Sequence, residues 1–384
     1  MLEINDKIWK IPLFQTYWDE NDVEAINEVV RRGSSWATGP EVVEFEKKIA
    51  EFNERKYALA FNSGTSALHA MLLAYDVKGK EVIVPSFTFI ATANAVVLAG
   101  GKPIFAESED ETFGLDAEDV LSRINKNTAA ILTLNYGGGV SKDIEKLKQI
   151  ADEKNILLLE DNAHSFGVKK NGKMCGTFGQ AAALSFCQNK LITTGEGGAV
   201  VTDDEKIFEK IKLIKSHGRI KNSKEDFSSI KNYGYVEVGY NYKIPTMGAA
   251  LGLSQLNKFE KIMNLRIEAG TRLNDGIKEF VKVSEPYENS DHFFQKYTIM
   301  LNNNETRDKL QLFLRDKGIM SKVYYEPIHL ENIYRDNYGY KEGDLPKTEA
   351  MSKKILTLPM WPGISNNDID YIINSIKEFF KNEV

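Results

Sequence analysis

Cysteine is scarce in this chain of 384 residues, with only Cys175 and Cys187 present. Their number and spacing make neither a disulfide framework, nor a C-x-x-C pair, nor a zinc knuckle, so a reducing, cytoplasmic setting without a metal site is expected. A basic surplus is missing as well. Lys and Arg number 49 against 55 Asp and Glu, a net charge of −6, which gives no reason to expect a nucleic-acid partner. Any phosphate must therefore be bound locally. No basic stretch leads into an apolar one at the N-terminus, so a signal peptide is not expected. The one long uncharged run, Val82–Gly101, is interrupted by Pro85, Ser86, Thr88, Thr92 and Asn94 and reads as strand, turn and helix rather than a membrane span. Neither G-x-G-x-x-G nor a Walker G-x-x-x-x-G-K-[ST] occurs, which removes the two commonest nucleotide signatures. What remains is ordinary for a globular chain: 42% hydrophobic and 27% charged residues, long enough for two domains.

The first two-thirds alternates short apolar runs with amphipathic segments. The runs Tyr57–Phe61, Val82–Val84, Ile104–Ala106, Ala129–Leu134 and Ile156–Leu159 predict parallel strands, joined by crossover helices such as Ile90–Ala99, Asp116–Ile124 and Asp143–Glu153. Ala182–Cys187 and Gly198–Val201 extend the sheet across a polar loop. After Gly252 the pattern changes. A long charged helix is expected from Gln255 to Lys278, then a helix over Arg307–Lys317, a strand over Lys322–Tyr325, and a closing helix over Asp368–Phe380 that keeps Ile369, Ile372, Ile376 and Phe380 on one face. The expected division is a large α/β domain over residues 1–252 and a smaller α+β domain over 253–384, with the first stretch of the chain packing on the small domain.

Chemistry gathers at the predicted strand ends, where open α/β sheets bind their ligands. Asn62-Ser63-Gly64-Thr65-Ser66 follows a strand and opens a helix, so its free N–H groups and hydroxyls suit a phosphate, as they also suit a plain N-cap. Asp161 closes a strand that would otherwise be apolar, where a carboxylate needs a cation or strong donors, or else serves a cap or loop ion pair. His164 lies three residues on. Lys190 follows the run ending at Cys187 and precedes the glycine-rich Gly195-Glu196-Gly197-Gly198. Such a lysine is either solvated or, in an apolar site, a nucleophile for an aldehyde. With Phe89 available for stacking, these are the parts that pyridoxal 5′-phosphate needs.

The sequence resembles the DegT/StrS-type nucleotide-sugar aminotransferases of PLP fold-type I over nearly its whole length. The motifs occur in order: S-G-T-x-A-L at Ser63–Leu68, P-x-x-T-F-x-A-T at Pro85–Thr92, E-D-x-A-H at Glu160–His164, and S-F-x-x-x-K-x-x-x-x-G-E-G-G at Ser185–Gly198. Later come G-x-N-Y at Gly239–Tyr242, A-A-x-G-L-x-Q-L at Ala249–Leu256 and Y-x-P-x-H at Tyr325–His329. The resemblance implies a mainly parallel sheet sandwiched by helices. It implies that Lys190 is the Schiff-base lysine and proton shuttle, that Asp161 pairs with the pyridine nitrogen, and that Phe89 and His164 lie against the ring. Gly64, Thr65, Ser66 and Ser185 would hold the phosphate, and Asn241 would reach it from a neighbouring subunit, which implies a homodimer with shared sites. Two departures stand out: Lys243 replaces the usual arginine, and Gly137-Gly138-Gly139-Val140 replaces the usual loop. The expected reaction moves an amino group from glutamate, through pyridoxamine 5′-phosphate, to a nucleotide-linked 4-keto-6-deoxysugar, with Lys243, Tyr325 and His329 as substrate contacts. A sugar dehydratase of the same fold is disfavoured because that branch carries histidine in place of the lysine. A non-catalytic regulatory protein is the remaining alternative.

Overall fold

The computed structural model describes residues 3, 4, 7–220 and 234–383. Seven strands build its central sheet: β1 (Tyr57–Phe61), β2 (Glu81–Pro85), β3 (Lys102–Ala106), β4 (Thr128–Leu134), β5 (Leu157–Asp161), β6 (Ala181–Ser185) and β7 (Gly198–Thr202). Their spatial order is β1-β7-β6-β5-β4-β2-β3. β3, β2, β4, β5 and β6 pair in parallel, and β7 lies antiparallel to both β6 and β1. The reversal of β7 follows from its connection. Residues 186–197 contain no helix, and without a crossover helix the chain returns alongside the strand it has just left.

Period-two alternation sends successive residues to opposite faces of this sheet. Ala58, Ala60, Ile83, Ile131, Leu158, Ala182 and Leu184 pack with α2 (Pro40–Phe52) and α6 (Ile144–Lys154) in one apolar cluster. Leu59, Phe61, Val82, Val84, Ala130, Leu132 and Leu159 pack with α3 (Gly64–Ala74), α4 (Ala91–Leu98) and α7 (Glu205–Lys215) in the other. With both faces covered, the strands read as apolar runs. The uncharged run Val82–Gly101 is divided between β2, a loop and α4, and no described helix is long and apolar enough to cross a membrane.

A third apolar core joins α9 (Phe259–Ile277), α10 (Asn304–Asp316), α13 (Asn366–Glu383) and the antiparallel pair β8 (Tyr297–Met300) and β9 (Ile355–Leu358). Ile11 joins this core and bridges Ile319. Ile369, Ile372 and Ile376 are buried along α13, each contributing about 1.5–3 kcal/mol relative to exposure. Two expectations change here. The helix expected over Gln255–Lys278 is two helices, α8 (Thr246–Asn257) and α9, broken at Lys258, whose ammonium is tied to Asp19 and Asp22. Residue 252 thus lies inside α8. The strand expected over Lys322–Tyr325 reduces to a single bridge, Lys322 to Thr357, because the segment turns away to form a cavity wall.

Candidate active site

A cavity of about 370 Å³ opens at the carboxyl ends of β1, β2, β4, β5 and β6. Its floor is the turn from β1 into α3. Ser63 is extended at the N-cap, and its hydroxyl accepts the Ser66 N–H at 3.0 Å. The N–H groups of a helix's first turn lack intrahelical partners and carry the positive end of its dipole, and here Ser63, Gly64 and Thr65 line the cavity. Ser185 faces them from the end of β6. Gly198 makes the approach possible. A Cβ there would lie 2.6 Å from the Ser63 carbonyl oxygen and 2.7 Å from the Gly64 nitrogen.

Asp161 is 3% exposed at the end of β5. Thr92 Oγ1 donates to its Oδ2 at 2.7 Å, and the Ala163 N–H donates to Oδ1 at 3.1 Å. Burial raises its pKa, opposed by those two donors and by Lys190. It forms no ion pair with a described side chain, so a buried carboxylate faces the cavity without a bonded cation. Its neighbour Glu160 projects to the opposite face of the sheet, where the N–H groups of Gly176 and Gly179 each donate to it at 2.8 Å. That carboxylate is structural.

Lys190 keeps some solvent access through the cavity mouth. The protein packed around it nevertheless lowers its pKa to about 8, against the opposing pull of Asp161, Cys187 and Glu196. The neutral amine is therefore more accessible near neutral pH than in an exposed lysine. His164 stacks on Tyr325, with centroids 6.1 Å apart and planes at 11°, and its Nε2 lies 3.3 Å from the Tyr325 hydroxyl. Burial, then Lys190 and Lys296, hold its pKa well below the usual histidine range, and its buried Nδ1 has no partner among the described residues. Phe89, on the loop between β2 and α4, lines the opening and remains 57% exposed.

The structure therefore brings Gly64, Thr65, Phe89, Asp161, His164, Ser185, Lys190 and Tyr325 to one cavity. Ser66 stands just outside it, its hydroxyl bonded to Asn62 and Ser63. Asn241 is exposed and Lys243 half-buried; they bond to each other and are not among the residues lining the cavity of their own chain. His329 requires a correction. It is fully buried, with Nδ1 2.7 Å from Ser86 Oγ and Nε2 3.2 Å from Glu349 Oε1. With both ring nitrogens engaged under the β2 loop, it does not face the substrate space. Sequence reasoning missed Thr92, which holds Asp161, although it closes the P-x-x-T-F-x-A-T motif. It also missed Tyr324, Lys296 and Lys322 on the opposite wall, which carry no local signal.

A phosphorylated pyridine aldehyde suits these residues. The helix terminus with Ser185 offers phosphate donors, the unpaired Asp161 needs a cation such as a protonated ring nitrogen, and Lys190 has a depressed pKa. Comparisons with known proteins agree. The family model described as the DegT/DnrJ/EryC1/StrS aminotransferase family matches residues 16–377. GDP-perosamine synthase of Escherichia coli O157:H7 is 33% identical over 376 residues, covering 97% of this chain and 99% of that protein. PseC of Helicobacter pylori, an aminotransferase involved in the biosynthesis of pseudoaminic acid, superposes with a TM-score of 0.90 at 28% identity, covering 98% and 100%. The putative sugar aminotransferase Spr1654 of Streptococcus pneumoniae in its PLP form gives 0.90 at 25% identity, covering 97% and 99%.

Proposed function

The chain belongs to the DegT/DnrJ/EryC1/StrS aminotransferase family, whose relatives are PLP-dependent sugar aminotransferases, and from that premise we propose that it aminates a nucleotide-linked 4-keto-6-deoxyhexose with glutamate as donor, in the making of a surface polysaccharide. The observation that carries this reading is a single cavity holding a lysine with a pKa near 8, a buried unpaired carboxylate and an open helix N-terminus. The perosamine synthase relative supports a nucleotide-sugar substrate.

When bound, pyridoxal phosphate supplies an aldehyde carbon that exchanges amino groups and a ring that takes up electrons from the substrate carbon. Lys190 would hold that carbon through its neutral Nζ and would serve as the base that takes up and returns a proton at the reacting carbon. Asp161 holds the proton of the ring nitrogen, and Thr92 and Ala163 fix the carboxylate that does so. Gly64, Thr65 and Ser185 receive the phosphate with their N–H and O–H donors. His164 and Phe89 confine the ring, and Tyr325 orients His164 and borders the sugar. Asn241, exposed on its own chain, serves the cavity of a second subunit in a homodimer.

The test incubates the purified protein with glutamate and either a panel of nucleotide-4-keto-6-deoxyhexoses or simple α-keto acids, and identifies products by mass spectrometry. A kcat/KM that clearly favours the sugars is expected. Preference for the simple keto acids would overturn the sugar reading and leave PLP chemistry intact.

A further inference from the structure

Lys296 and Lys322 line the active cavity but have no part in the mechanism above. Lys296 is 6% exposed. Its ammonium lies 3.7 Å from the centroid of the Tyr324 ring and 5.3 Å from that of Tyr325, and no described carboxylate pairs with it. Lys322 Nζ lies on the same tyrosine, 5.0 Å from its centroid. Cation–π contacts of this kind return less than burying an ammonium costs. The pair lacks an anion.

The placement of Lys296 is built rather than incidental. Its N–H donates to the Gly137 carbonyl at 3.1 Å, and the Phe293 N–H donates to the Gly138 carbonyl at 3.0 Å. A Cβ on Gly138, at φ +93°, would lie 2.6 Å from the Gln295 nitrogen. The Gln295 side chain in turn bonds the Asn189 carbonyl, next to Lys190. The triglycine loop that departs from the family pattern is thus the seat of Lys296. The other departure, Lys243, is not among the residues lining the cavity of its own chain.

The kind of anion follows from position. Phosphate donors are supplied by other elements of the cavity, α3 and Ser185 at the end of β6. Lys296 lines the same cavity as Lys190, and its neighbour Gln295 bonds the Asn189 carbonyl beside Lys190, which puts its anion beside the reacting carbon. A carboxylate is what an amino acid carries on the carbon bearing its amine, whereas the diphosphate of a nucleotide sugar is separated from a C4 ketone by the width of the ring. Resting on the aminotransferase reading, we propose that Lys296 and Lys322 read a substrate carboxylate borne on, or next to, the carbon that exchanges the amino group. The same chemistry is offered by the α-carboxylate of the amino donor and by a keto sugar that is itself a uronic acid.

Glutarate, a dicarboxylate without an amine, tests the pair when titrated by calorimetry into the holoenzyme. Lys296→Met is expected to weaken its binding at least about tenfold (about 1.4 kcal/mol), with Lys296→Arg restoring most of it. Lys322→Met, at an exposed side chain whose loss does not threaten the fold, is expected to weaken it several-fold. Glutarate affinity unmoved by either methionine substitution overturns the proposal. The two half-reactions, followed separately by cofactor absorbance, separate the sources. A raised KM for glutamate with normal amination of a keto sugar lacking a carboxylate assigns the site to the donor. A defect confined to a keto-uronic sugar assigns it to the acceptor, and a defect in neither overturns the proposal. Should the wild type aminate no sugar, the proposed function fails while the glutarate titration still decides the lysines.

Discussion

At the scale of single residues, the site works by withholding partners. Lys190 is surrounded by enough protein to lower its pKa to about 8, so its capture of pyridoxal phosphate in the cofactor-free protein should speed up with pH and level off above about 8. Stopped-flow absorbance measures this, and a rate still climbing at pH 10 would show an ordinary exposed lysine. Borohydride reduction should leave the pyridoxyl label on Lys190 alone. Asp161 is perturbed in the costly direction. Its folded pKa is raised above the unfolded value by burial, so the folded state binds the extra proton, and stability is lost as pH rises from the unfolded carboxylate range through the folded pKa. Asp161→Asn removes that cost. The cofactor-free variant should melt at or above the wild-type temperature at pH 7 while transamination falls by several orders of magnitude. Near-normal turnover would take Asp161 out of the mechanism. Strand parity separates the two acidic neighbours: consecutive residues face opposite sides of a sheet, and Glu160 spends its acceptors on Gly176 and Gly179. His329 shows the reverse case, because its ring lies in a local 3-10 turn, Ile328–Leu330, whose entry into the interior no pattern of types announces.

At the scale of elements, the strand-to-helix turn at Ser63 depends on a glycine from another strand. Gly198→Ala would drive a methyl into the Ser63 carbonyl and Gly64 nitrogen, at 2.6 and 2.7 Å, and rigid neighbouring backbone cannot yield cheaply. Cofactor affinity should fall at least about tenfold (about 1.4 kcal/mol), read by fluorescence titration of pyridoxal phosphate, while Gly195→Ala in the same loop, where a Cβ meets nothing within 4 Å, should reveal only the strain of its positive φ. Unchanged affinity in Gly198→Ala would mean the turn relaxes. The strands of the sheet were legible because each is buried on both faces and bounded by polar turns, and the observed β1 repeats the expected Tyr57–Phe61. The direction of β7 was not, since its composition is the same either way and only its hydrogen-bonded partners distinguish them. The break between α8 and α9 was hidden for a related reason: it occurs where Lys258 meets Asp19 and Asp22, far away in sequence.

At the scale of the whole molecule, the proposed homodimer predicts complementation. Lys190→Ala mixed with Asn241→Ala under conditions of subunit exchange should give hybrids in which one site carries both defects and one carries neither, so activity should exceed that of both parents. Confirmed exchange without a rise would place Asn241 in its own subunit's service or in none. The sequence by itself determined the layered α/β architecture, the family, the cofactor and the candidate residues at the strand ends, because motifs such as Glu160–His164 and Ser185–Gly198 are local in the chain and tied to strand termini that apolar runs reveal. Tertiary structure alone decided which of those residues share a cavity, that His329 turns inward to Ser86 and Glu349, and that Lys296 lines the same cavity as Lys190. A lysine between Gln295 and Tyr297 looks like any solvated charge in one dimension. Its burial is set by the triglycine loop and by Tyr324, which sequence separation keeps far apart and only the packing of the third core against the sheet brings together.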